Sequence, residues 1–215
     1  MSNPFRGFYY LLFFGVLLLG VVALMRVAYQ VPIIFYTRDI SVLSRLHPLA
    51  GSVSSLGAFV WGASASTCFF TVFVFRSLGF RYGYVFLLCS GLLSLYLMLD
   101  DFFVIHEALA PSYLGVQQMV VVGALVLIVL VYLIVFGRLI LASNFVMLLA
   151  ALSFFALSVV IDQSPLAGVL KSNIGDWEDF IEDGAKLLGI LCWYAYFIDT
   201  SRWLLLNQER LAGHN

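Results

Sequence analysis

The stretch "LGVQQMVVVGALVLIVLVYLIVF", residues 114–136, decides the fold class, because it carries no charged residue and is long enough to cross a bilayer. A membrane-spanning helix needs about 20 mostly apolar residues. The whole chain agrees with this stretch, since 63% of its 215 residues are hydrophobic and only 11% are charged. Soluble domains are about 45–50% apolar and about 25% charged. We therefore expect an all-α, polytopic integral membrane protein.

Five further apolar segments meet the same length rule, which predicts a bundle of six transmembrane helices. Prolines such as Pro111 fall between the segments, where a helix is expected to end. We treat residues 1–215 as a single transmembrane domain. The predicted spans cover approximately residues 8–29, 53–75, 84–101, 114–136, 144–161 and 177–200.

The distribution of basic residues predicts the orientation. With six spans both termini lie on one side, and the basic residues on that side outnumber those on the other. Lys and Arg accumulate in cytoplasmic segments, so both termini are expected to be cytoplasmic, in a plasma or inner membrane. The basic residues on the terminal side are Arg6, Arg76, Arg81, Arg138, Arg202 and Arg210, against Arg38, Arg45 and Lys171 on the other.

An unusual set of ionisable residues lies at the outer end of the third predicted helix, in "LMLDDFFVIHEALAP", residues 97–111. Acids at the carboxyl end of a helix are disfavoured by about 0.3–1 kcal/mol each. We therefore expect a positive partner nearby, for which Arg26, Lys186, a metal ion or bound protons are the candidates. On a continuous helix Asp101 and His106 project to different sides. Either the helix unwinds near Phe102, or these residues make two separate contacts.

The predicted topology brings the ends of two other helices to the same level. The fifth helix ends at Asp162, and the sixth begins in "IGDWEDFIEDGAKLLGI", residues 174–190. Glu182 and Lys186 are four residues apart with the acid first, which favours an ion pair on one helix face. These residues predict an outward-facing pocket, acidic and containing His106, between the third, fifth and sixth helices.

Two kinds of chemistry fit such a pocket. Carboxylates beside an imidazole and an amine suit general acid–base catalysis, on a lipid or lipid-linked substrate because the pocket meets the headgroup level. The candidate catalytic residues are Asp100, His106, Glu107, Glu182, Asp183 and Lys186. Oxygen ligands with an added imidazole also suit a divalent metal ion as cofactor, although no ligand motif of fixed spacing is present. The candidate ligands are Asp100, Asp101, His106, Glu107, Asp162, Glu178 and Glu182.

Two other functions remain open. The chain could be an accessory subunit of a larger membrane complex that contacts a cofactor or pigment, with His106 as an axial ligand; this predicts an apolar groove between helices. It could also be a proton- or cation-coupled transporter. The expected partners are membrane lipids and other membrane subunits, and no nucleic acid, because the chain has no basic run. The fourth predicted helix is expected to face lipid.

Overall fold

The computed structural model describes residues 6–38, 43–47, 49–163 and 177–208, and in these ranges the chain forms helices and no strands. The predicted all-α fold is confirmed. The helices are α1 Arg6–Tyr29, α2 Ile34–Thr37, α3 Ser52–Leu78, α4 Tyr84–Phe103, a π-helix Ile105–Leu114, α5 Gln118–Ala142, α6 Phe145–Gln163 and α7 Trp177–Leu206.

Four of these helices, α3 to α6, are long and apolar enough to cross a membrane. They correspond to the second, third, fourth and fifth predicted spans. In α1 a shorter apolar segment covers Gly15–Tyr29. The first turns of α7 carry the acids of the sequence "WEDFIED", which lower its apolar character. The coarse expectation of apolar, membrane-length helices therefore holds for these four elements.

The contacts divide the chain into two compact units, residues 1–50 and residues 51–215. The first unit contains α1 and α2. There the Arg26 guanidinium donates hydrogen bonds to the main-chain oxygen and the Oε1 of Gln30, both at 3.2 Å. The second unit contains α3 to α7 and the π-helix. A single domain over residues 1–215 remains a prediction.

The core of the second unit forms where α3 packs along α4 and α7, and where α6 packs along α7. Trp193 of α7 is almost completely buried, and its indole Nε1 donates to Ser94 Oγ of α4 at 3.0 Å. The hydroxyls of Ser90 and Tyr132 lie 2.6 Å apart and link α4 to α5. Buried polar groups need such partners, so these bonds fix which helix faces meet.

Glycine allows the closest approach between α6 and α7. A Cβ placed on Gly189 would lie 2.6 Å from ring carbons of Phe155 and 3.2 Å from the main-chain oxygen of Ala151. Small residues let helices approach this closely when their surroundings are apolar. By contrast, a Cβ on Gly184, earlier in α7, would meet no heavy atom within 4 Å.

A sharp break follows α4. Val104 adopts φ 51° and ψ 47°, the left-handed region, which is strained for a β-branched residue. The chain then continues as the π-helix, which ends at Gly115 with φ 65°. Pro111 lies inside this π-helix, so it falls between α4 and α5 as expected, but no helix ends there. Because the π-helix takes up residues to Leu114, α5 begins at Gln118, later than the predicted start at 114.

Candidate functional site

Across the break at Val104, His106 of the π-helix contacts Asp100 of α4. Asp100 is only 2% exposed. Its Oδ1 accepts a hydrogen bond from the His106 main-chain N–H at 3.1 Å, and its Oδ2 lies 2.6 Å from His106 Nδ1. The other ring nitrogen, Nε2, lies 3.3 Å from Oε1 of Glu107. The imidazole is thus held between two carboxylates, one buried and one half exposed.

These contacts set the charge of the imidazole. The hydrogen bond to Asp100, followed by that to Glu107, raises the pKa of His106 from 6.5 to about 9, against the opposing effect of burial. The hydrogen bond from His106 in turn lowers the pKa of Glu107. At neutral pH His106 is therefore an imidazolium, which can donate a proton.

A second group of contacts forms around Asp101. Lys186 Nζ of α7 lies 2.7 Å from Asp101 Oδ1, and the Trp61 indole of α3 donates to Asp101 Oδ2 at 2.9 Å. The expected pair of Glu182 with Lys186 is not the one formed, because Lys186 binds α4 instead of its own helix. The physical reason is burial: the Asp101 side chain is 7% exposed, and an unpaired buried carboxylate is strongly destabilising.

Both groups border one cavity of about 540 Å³. Its charged end is formed by the ends of α4 and α6, the first turn of the π-helix and the start of α7. Its remaining walls are mostly apolar side chains of α5 and α6, with Leu97 of α4, Trp61 of α3 and the polar Ser158 of α6. The ionisable lining residues are Asp100, Asp101, His106, Glu107, Asp162, Glu182 and Lys186.

The cavity brings together all but two of the candidate residues. Asp183 does not line it; together with Ser54 it lines a small hollow of about 10 Å³ that also borders Asp101 and Lys186. The side chain of Glu178 lies outside the described part of the structure. At the rim, Gln118 Nε2 lies 3.4 Å from Asp162 Oδ2.

The fourth predicted helix, which was expected to face lipid, also contributes to the cavity. Val122, Val129 and Leu133 of α5 form part of the cavity wall, although most of α5 is exposed. Sequence reasoning also missed Trp61 and Gln118 as partners of the acids. The polar Gln at the start of an otherwise apolar helix was the available signal for Gln118; nothing local marked Trp61.

The metal prediction finds no support in the described ranges. Within them, no group of three or more His, Cys, Asp or Glu side chains is placed to hold a metal ion. The acids do not form one cluster either, because Asp100 and Glu107 contact His106 whereas Asp101 contacts Lys186 and Trp61. The acids and His106 thus form two separate groups of contacts instead of one set of ligands around a metal ion.

Comparison with known proteins gives a family but no activity. No curated protein matches the chain, and no solved structure does. A family profile described as "Domain of unknown function (DUF8692)" matches residues 11–200, which is most of the chain. The protein therefore belongs to this family, DUF8692.

Proposed function

We propose that the protein is a multi-pass membrane protein that binds a lipid or lipid-linked substrate in the 540 Å³ cavity and transfers a proton to it through His106. The main support is the lining of that cavity, which has a charged end with Asp100, His106 and Glu107 in contact and mostly apolar walls. Ligand sites are typically about 300–1,000 Å³, mostly apolar, with a few converging polar groups.

The arrangement at His106 supports acid–base chemistry. Buried Asp100 contacts both the main chain and Nδ1 of His106, which fixes the ring orientation and leaves Nε2 on the side of Glu107. A protonated imidazole in this position serves as the general acid through Nε2, and the half-exposed carboxylate of Glu107 beside that nitrogen passes a proton from solvent back to the ring. Lys186, held by Asp101, is the second positive group at the charged end.

We further propose six membrane spans, with α1 and α7 added to the four apolar helices, and cytoplasmic termini in a plasma or inner membrane. The support is the apolar segment of α1, the uncharged part of α7 after Lys186 and the excess of Arg on the terminal side. Fusions at the carboxyl terminus test the orientation. Fluorescence of fused green fluorescent protein, with no activity of fused alkaline phosphatase, is expected; the reverse result contradicts it.

A matched pair of variants in α5 tests binding. Val129→Trp places an indole in the cavity, whereas Ile134→Trp changes a side chain that is 81% exposed and does not line it. Lipid extracted from the purified protein and identified by mass spectrometry should be retained in wild type and Ile134→Trp, and lost in Val129→Trp. Equal retention of lipid in all three proteins would contradict the proposal that the lipid binds in this cavity.

Turnover is tested by incubating wild type and His106→Gln with a total membrane lipid extract. Wild type should change the mass spectrum of the extract, and His106→Gln should not. If neither protein changes the extract while the Val129→Trp result holds, the cavity binds without catalysis.

That outcome favours the accessory subunit, the second candidate, because the apolar cavity walls also fit contacts to a cofactor or pigment. Axial ligation by His106 is less well supported, since both of its ring nitrogens face carboxylates. For a coupled transporter, proton release in liposomes would be the corresponding measurement.

A further inference from the structure

The ionisable side chains at the charged end of the cavity differ from one another in whether they have an ion-pair partner. Each of its two cationic side chains already touches a carboxylate: His106 touches Asp100 and Glu107, and Lys186 touches Asp101. These contacts are 2.6–3.3 Å long. An anionic ligand would have to break them to find a positive partner.

Glu182 is in a different situation. It lines the same cavity from α7. No hydrogen bond or ion pair joins its carboxylate to a residue within the described ranges. Lys186, its expected partner, is held by Asp101. The carboxylate of Glu182 is therefore available at this end to pair with a cationic group of a ligand.

The remaining walls of the cavity limit the chemistry and size of the part of the ligand beyond its head group. Leu125, Val129 and Leu133 of α5 face Leu152 and Phe155 of α6 across the cavity. The volume of about 540 Å³ is in the range of sites for one drug-sized molecule. This space suits one hydrocarbon chain better than the two chains of a phospholipid.

We infer that the ligand of this cavity is a single-chain amphiphile with a cationic amine head group, which pairs with Glu182 while its chain lies between α5 and α6. The inference rests on the proposed binding function and names its ligand class. Charge complementarity of this kind selects among ligands because a like charge placed at the same position is repelled.

Three photoreactive probes test the inference: a C16 primary amine, the corresponding alcohol and the corresponding carboxylic acid, each with a diazirine in the chain. The protein is reconstituted in nanodiscs of phosphatidylcholine at pH 7, irradiated, and the labelled fraction and labelled residues are read by mass spectrometry. The amine should label α5 and α6 cavity residues about tenfold more than the acid. The alcohol should fall between them.

Glu182→Gln should reduce the preference for the amine over the acid by severalfold. Asp199→Asn is the matched control, because it makes the same chemical change on α7 away from the cavity lining, and it should leave the preference unchanged. The comparison between probes on wild type is informative even if Glu182→Gln fails to fold.

The outcomes separate this inference from the proposed function. Equal labelling of cavity residues by all three probes, or a preference for the acid, overturns the cationic head group and leaves lipid binding intact. A preference for the amine that survives Glu182→Gln overturns the role of Glu182. Absence of cavity labelling by every probe overturns both the inference and the proposed binding function.

Discussion

Replacing Asp100 by Asn tests the central contact of the site. Asn keeps the size of the side chain but removes the negative charge 2.6 Å from His106 Nδ1. Since Asp100 is the largest cause of the raised pKa of His106, this pKa should fall from about 9 toward its ordinary value of 6.5. His106 would then be protonated in a smaller fraction of molecules at physiological pH, with Glu107 as the remaining carboxylate that supports its charge.

The free energy follows from the same pKa. A change from 6.5 to about 9 corresponds to about 3 kcal/mol of preference for the protonated ring. Glu107 is 53% exposed, so solvent screening reduces this to about 2 kcal/mol of stability. Because the folded pKa lies above the unfolded one, this stability is complete below pH 6.5 and is lost as the pH rises through about 9.

Two assays measure the effect. Histidine ¹⁵N resonances, recorded in micelles on a His47→Gln, His214→Gln background, report the titration of His106 alone. Thermal unfolding should show Asp100→Asn about 4–8 °C less stable than wild type at pH 7, with the difference disappearing above pH 9. If His106 titrates near 6.5 in wild type, or at the same pH in both proteins, the reasoning about this contact is refuted.

Three further substitutions test packing, pairing and strain, each by thermal unfolding. Lys186→Met should lower the free energy of unfolding by about 2 kcal/mol, because it leaves buried Asp101 without its ion-pair partner. The double variant Lys186→Met, Asp101→Asn should recover at least half of this loss, and equal stability of the single and double variants would contradict the pairing. Gly189→Ala should lower the free energy of unfolding by about 1–3 kcal/mol, because the added methyl group would clash with the ring of Phe155 in α6. The control Gly184→Ala should be neutral or stabilising by up to about 1 kcal/mol, and similar effects of the two substitutions would argue against the close approach of α6 and α7. Val104→Gly should stabilise by about 1 kcal/mol by relieving a left-handed β-branched residue, and a clear loss of stability would show that its side chain matters more than its strain.

The helices could be predicted because their signal is local. An uncharged run such as residues 114–136 must satisfy its main-chain groups internally when its surroundings are apolar, and a helix does this without reference to any other segment. Length and composition were therefore sufficient for α3 to α6. The boundary between the third and fourth helices was misplaced, because the π-helix depends on a strained residue, Val104, that no local preference indicates.

The sequence by itself predicted a helical chain with six helices of membrane length, of which α3 to α6 have that length in the described ranges, and it placed ionisable residues at the ends of α4 and α6 and the start of α7. The tertiary structure alone decided how these residues pair: Lys186 with Asp101 instead of Glu182, and His106 with Asp100 across the break at Val104. Spacing along one helix reports neighbours on that helix. The energetically dominant partners lie across a helix interface or a chain break, because the carboxylates that most need a counter-charge are those that packing removes from solvent.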